Sequence, residues 1–290
     1  MILKLIPVFK SKIWGGTKLK EMFGYRTEES NIGECWGVSA IEGSESTIAS
    51  EPFAGWSLKR LWEERQDLFG NHPAAKFPLL VKFIDASDDL SIQVHPDDQY
   101  AAKVGSYGKT ECWTILDADP NSTILVGHVA KTKEEFLRFV VAGRYLDLVK
   151  RHPLKKGDKF FIEPGTIHAI CKGTTLLEIQ QSSDLTYRFY DYGRLENGKP
   201  RPLHLDDAIA VTKISDDHVR TDFENPYFEV IDPVMKGSRT AGPHGDFLIV
   251  LSGSGSLDSL SANAGEFHFV PANETYWIQG DLSIVIARMK

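Results

Sequence analysis

Four residues of this 290-residue chain have types and spacings that suit a divalent metal ion. They are Gln93 and His95, two apart in LSIQVHPDD, Glu111 in GKTECW, and His168 in EPGTIHAI. Imidazole nitrogen and carboxylate oxygen are good ligands for zinc, the metal this set favours, whereas a carboxamide is a rarer and weaker ligand. One carboxylate among neutral ligands would leave the cation net positive. It could then polarise a bound water or stabilise negative charge developing on oxygen. Each residue taken singly also has an ordinary structural reading. Gln93 fits a solvent-facing strand position, His95 a turn before Pro96, and Glu111 any surface carboxylate. His168, after an apolar strand and a Pro-Gly-Thr turn, is the least ordinary of the four. Spacing alone leaves both readings open.

The elements that must position these groups read mostly as strands. Residues 90–95 alternate, with Leu90, Ile92 and Val94 on one side and Ser91, Gln93 and His95 on the other. A polar face of that kind normally meets water. It becomes a site only if a second polar set faces it across a barrel. FPLLVKFI at 77–84 predicts a core strand, and 34–41, 110–116, 160–162, 168–170, 174–180 and 186–190 predict further strands. Residues 2–9 predict an opening strand, which Gly15-Gly16 should break. Ser57 should cap a helix over 58–69, and Thr132-Lys-Glu-Glu135 reads as a capping box for a helix from 133. Short helices are expected over 145–150 and 206–211. Between 221 and 290, apolar runs at 227–231, 246–251, 267–270 and 283–287 alternate with Gly and Asn turns, the signature of a sandwich or barrel.

Composition narrows the function classes. A net charge of −7 argues against nucleic acid and anionic membrane surfaces but not against a small anion, because a few buried Lys and Arg set the local sign. No stretch approaches the length of a membrane span, and the N-terminal residues lack the pattern of a signal peptide. Three cysteines without paired spacing point to a reducing compartment, so the expected location is the cytoplasm. No Walker-type or GxGxxG phosphate loop is present.

An internal echo points to two related barrels. Gly157-Asp-Lys-Phe-Phe-Ile-Glu-Pro-Gly165-Thr-Ile-His168 matches Gly265-Glu-Phe-His-Phe-Val-Pro-Ala-Asn273-Glu-Thr-Tyr276 in outline, with Asn273 where Gly165 stands and Tyr276 where His168 stands. Only the first copy keeps the metal-type residue.

The PGTIHAI string after an apolar strand is similar to a motif of the cupin superfamily. FPLLVKFIDASDDLSIQVHPDD, GKTE followed by Cys and Trp, and LLEIQQSSDLTYRFYDYGR more specifically resemble the short-form type I mannose-6-phosphate isomerases, through most of residues 1–215. The resemblance implies a mainly β fold of two cupin-type (double-stranded β-helix, or jelly-roll) barrels with a small, partly helical insertion. Residues 1–96 plus 151–215 would form the metal-binding barrel and 97–150 the insertion. Residues 216–290 would form a second, degenerate barrel completed by N-terminal strands. It also implies a zinc enzyme, one ion per chain, interconverting mannose 6-phosphate and fructose 6-phosphate.

By the same motifs Gln93, His95, Glu111 and His168 match the metal ligands, Arg188 the catalytic arginine, and Glu178 a carboxylate in proton transfer. Ser91 and Lys109 match the groups that contact phosphate. The chemistry suits these types. Aldose–ketose exchange passes through an enediolate, whose charge a metal and a planar guanidinium can stabilise, while a base moves a carbon-bound proton. Two other readings of the residues are a metal-stabilised sugar-phosphate-binding or regulatory protein without turnover, and a metal-dependent oxygenase, which Gln93 disfavours. The expected partner is a small phosphosugar, in a monomer or homodimer.

Overall fold

The computed structural model describes residues 1–214 and 219–290, so the expected domain boundary at 216 falls outside the described residues. The chain is mainly β, as expected, and its strands form three principal sheets.

The first sheet has six strands in the order Lys159–Ile162, Glu111–Ala118, Thr174–Gln181, Leu79–Ala86, Val8–Gly16 and Ile32–Val38. The second has five, in the order Tyr187–Tyr190, Ile92–Val94, His168–Ile170, Thr123–His128 and Val149–Pro153. Between them lies an apolar cluster that includes Trp14, Ile84, Trp113, Ile115, Val126, Phe160, Ile170 and Leu176. Strand alternation gives each of these sheets a second buried face. The other face of the five-stranded sheet, with Ile92, Val94, Leu125 and Phe189, packs on Phe136, Val140, Leu148 and Ala208. These come from helices Lys133–Val141, Tyr145–Leu148 and Leu205–Val211. Thr132 Oγ1 accepts from Glu135 N, as its position at the helix start demands.

The third sheet is built from C-terminal strands with Leu3–Ile6 and Thr47–Ile48 joined to its edge. One face, through Phe247, Phe267 and Phe269, shares a core with Phe83, Val81, Leu177 and Ile179 of the six-stranded sheet. The other face encloses Leu248, Val250, Val270, Tyr276, Ile278 and Ile286. Helix Leu58–Glu64, with Ser57 Oγ accepting from Arg60 N, adds Leu58, Leu61 and Trp62 to the shared core. The expected helix over 58–69 continues past Arg65 as a 3₁₀ turn, Gln66–Phe69.

One expectation needs correcting. Gly15-Gly16 does not break the first strand; Val8–Gly16 runs through it. A Cβ on Gly15 would lie 2.5 Å from the Gly33 nitrogen, so the glycines admit a close strand contact and do not make a turn. The break falls at Pro7, where the chain passes from the third sheet to the first. Residues 97–150, expected as a partly helical insertion, hold strands as well as helices. They supply Glu111–Ala118 and Thr123–His128 to the first and second sheets, because both segments pair with strands from 159 to 181.

The internal echo has a backbone counterpart. Gly157 and Gly265 both adopt positive φ (88° and 85°), as do Gly165 and Asn273 (85° and 61°). Asn is among the few residues that accept that conformation, so the turn survives the exchange. His168 and Tyr276 begin or enter the next strand in each copy.

The two barrels meet so closely that a Cβ on Gly37 would lie 2.2 Å from the Phe267 ring. Gly37→Ala is expected to destabilise the fold by about 1–3 kcal/mol, the usual cost of overpacking. A fall in the urea midpoint would register it, and an unchanged midpoint would refute this account of the interface.

Candidate active site

The polar face of Ser91, Gln93 and His95 points into the first barrel, not to solvent. Ser91 and His95 are buried and Gln93 half-buried. The second polar set that such a face requires comes from two strands. His168 lies beside Gln93 in register, and Glu111 comes from the facing six-stranded sheet. The ligand atoms of His95, Glu111 and His168 all lie within 4.8 Å of one another. Glu111 Oε1 is 3.3 Å from His168 Nε2, and Glu111 Oε2 is 3.7 Å from His95 Nε2. The Gln93 amide approaches His168 Nε2 at 3.3 Å.

The imidazoles are oriented from behind. His95 Nδ1 donates to Leu185 O at 2.9 Å and His168 Nδ1 to Thr166 O at 3.0 Å. A proton fixed on each Nδ1 leaves each Nε2 a lone pair facing inward. Burial, with Lys109 nearby, pushes both rings down, His168 to about 3, so both are neutral. Glu111 Oε1 is buried and accepts no hydrogen bond. Two lone pairs and an orphaned carboxylate oxygen converging on one point fit a cation, so these residues could hold a metal ion, with the Gln93 amide at its edge.

Lys109 is buried with its ammonium against Glu111 Oε2 and 3.1 Å from His95 Nε2. Glu178 does not face outward from its strand; it is buried in the same interior, where Trp113 Nε1 donates to it at 2.8 Å and Lys82 Nζ lies 2.8 Å away. Burial alone would raise the Glu178 carboxyl, but Lys82 and Lys109 outweigh it and hold it at about 2. Arg188 lies beside Gln93 in register, and Nη1 donates to Pro202 O at 2.9 Å. Its Nε is buried without a partner, and among the described residues it pairs with neither Asp184 nor Asp191. Ser91, Gln93, Lys109, Glu178 and Arg188 line one cleft of about 200 Å³.

Two residues escaped the sequence reading. Lys82 sits inside the apolar run FPLLVKFI yet is only 4% exposed. Glu34 lies 3.7 Å from it, held by Trp36 Nε1 at 2.5 Å and Lys12 Nζ at 3.5 Å. The available signal was the lysine itself. Lys is almost never fully buried unless paired, so a lysine centred in a core strand announces a carboxylate opposite.

The model of the phosphomannose isomerase type I catalytic domain matches residues 2–130. The chain is 40% identical to the probable mannose-6-phosphate isomerase GmuF of Bacillus subtilis, over 98% of each chain. It is 41% identical to the mannose-6-phosphate isomerase ManA of the same organism, over 87% of this chain and 86% of that one. The crystal structure of the mannose 6-phosphate isomerase from Bacillus subtilis superposes with a TM-score of 0.91 at 36% identity, covering 99% of both chains, which places the fold in the expected cupin class. The chain therefore belongs to the type I mannose-6-phosphate isomerase family.

Proposed function

We propose that this chain interconverts D-mannose 6-phosphate and D-fructose 6-phosphate, with one Zn²⁺ per chain held by His95, Glu111, His168 and Gln93. The observation that carries this reading is the buried His95–Glu111–His168 cluster, in contact with Gln93 and Lys109, which line the same cleft as Arg188 and Glu178, in a member of this family. Bound zinc would supply fixed positive charge favouring negative charge on the substrate oxygens at C1 and C2.

This chain's own residues supply the rest. In the aldose-to-ketose direction the C2 proton leaves, its electron pair enters the C1–C2 bond, and an enediolate forms. A proton returned to C1, and transfer of the hydroxyl proton from O2 to O1, complete the isomer with no other reactant. Glu178 is the group we assign to the carbon-bound proton, since it lines the cleft and its partner Lys82, with the charge of Lys109, keeps it ionised. Arg188 has a buried, unpartnered Nε–H available to an enediolate oxygen. Ser91 lines the same cleft and offers a hydroxyl to substrate oxygens. The contacts of Lys109 with Glu111 and His95 favour a role for its charge at the reacting end over one at the phosphate. We place the enzyme in the cytoplasm, which its three unpaired, buried cysteines support; no helix among the described residues is long and apolar enough to cross a membrane.

A coupled assay that detects fructose 6-phosphate formed from mannose 6-phosphate tests the activity. Arg188→Ala and Glu178→Gln should each lower kcat about 10²–10⁴-fold while the protein still folds. A wild-type chain that binds the sugar phosphate without turning it over would instead establish the binding-protein reading. Elemental analysis should find about one zinc per chain in purified protein and almost none in His168→Ala. Equal metal in both would overturn the ligand assignment.

A further inference from the structure

The cleft's charges are not evenly matched. Deep inside, Lys82 is paired with Glu178 and Glu34 and Lys109 with Glu111, and the half-buried Lys12 also reaches Glu34. Near Arg188 the pairing fails. Arg194 and Arg201 both close on one buried carboxylate, Asp191, and Arg188 forms no ion pair among the described residues. Asp88, exposed, reaches only Arg194, at 3.5 Å, and the remaining cleft carboxylate, Asp184, is exposed to solvent. Three guanidiniums therefore share one buried carboxylate, Asp191, with the exposed Asp88 and Glu196 nearby, and two of the three, Arg188 and Arg201, line the cleft.

Arg201 is held in one orientation. Its Nε donates to Asp191 Oδ2 at 2.7 Å and its Nη2 to Asp191 Oδ1, which uses one edge of the fork. Nη1 makes no hydrogen bond among the described residues. The segment that carries it is tied to Arg188 three times. Arg188 N donates to His204 Nδ1 at 3.1 Å, His204 N to Arg188 O at 2.8 Å, and Arg188 Nη1 to Pro202 O at 2.9 Å. Arg201 is thus preorganised beside Arg188, the arrangement that receives a doubly charged, many-oxygened anion without ordering a flexible side chain. Glu34, Glu178 and Glu111 are already matched by the lysines, which leaves the guanidiniums as the unmatched positive charge of the cleft.

We propose that Arg201 receives the phosphate of the substrate, with Asp191 and Arg194 as the positioning residues that aim it. This rests on the isomerase reading above and adds to it a residue that reads the phosphate. The test is steady-state kinetics of the zinc-loaded enzyme on mannose 6-phosphate, with inorganic phosphate as a competing probe. Arg201→Gln should raise KM, and weaken inhibition by inorganic phosphate, about 10–100-fold, as expected for losing a charged hydrogen-bond donor. The effect on kcat should be much smaller. Arg201→Lys keeps the charge and loses the fork, so it should fall between wild type and Arg201→Gln. If Arg201→Gln does not fold, the lysine variant is read alone. Its KM and phosphate inhibition must both shift for the proposal to stand. Unchanged KM and phosphate inhibition in an active variant would overturn the role of Arg201 and leave the isomerase intact. A wild-type protein without isomerase activity would instead overturn the reading on which the role rests.

Discussion

Ionised groups taken out of water inside a barrel cost several kcal/mol each unless an opposite charge or a donor replaces the solvent. The row Trp36, Lys82, Glu178 and Trp113, adjacent in register across four strands, meets that condition inside this protein. Lys82 serves the carboxylates of Glu178 and Glu34, and the two indoles donate to the same carboxylates. Every other feature of the cleft leans on this arrangement. Without it Glu178 would protonate or draw water into the barrel, and the apolar half of the interior, from Trp14 to Leu176, could not stay closed.

The same strands serve two cores because their alternation is strict. On Leu79–Ala86, Lys82 points into the first barrel while Val81 and Phe83 join the core shared with the C-terminal sheet. On Ile92–Val94, Gln93 faces the site while Ile92 and Val94 anchor the covering helices. A slip of one residue in either strand would exchange the cleft for the core, so the hydrophobic packing on the outer faces holds the site's register. Function and stability are here two faces of one set of strands.

Much of this was legible from residue order. The alternation at 90–95, the turn before His168 and the echo at 265–276 follow from local pattern, and the motif around QVHP named the residues that the structure brings together. What could not be read was which face is inside. Ser91, Gln93 and His95 resemble a solvent face until Glu111, remote in sequence, is seen across the barrel. Arg201 was invisible for a similar reason. It follows an exposed hairpin, Leu195–Pro200, and takes its place only through Asp191 and the tie of its neighbours Pro202 and His204 to Arg188. Gly15-Gly16 misled because glycine marks turns and close backbone approaches alike, and only the distance to Gly33 distinguishes them.

The crossing at Pro7 has a consequence for how the molecule is made. Leu3 and Leu5 pair with Phe269 and Phe267, so this strand has no partner there until more than 260 further residues have been made. During synthesis the first barrel can close around its charged row, yet the core over Val81, Phe83, Leu177 and Ile179 lacks Phe247, Phe267 and Phe269 until residue 269 has emerged. Until then the chain carries a half-covered apolar surface. The strand Phe267–Val270 acts as the clasp, joining Leu3–Ile6 to Asp246–Leu257.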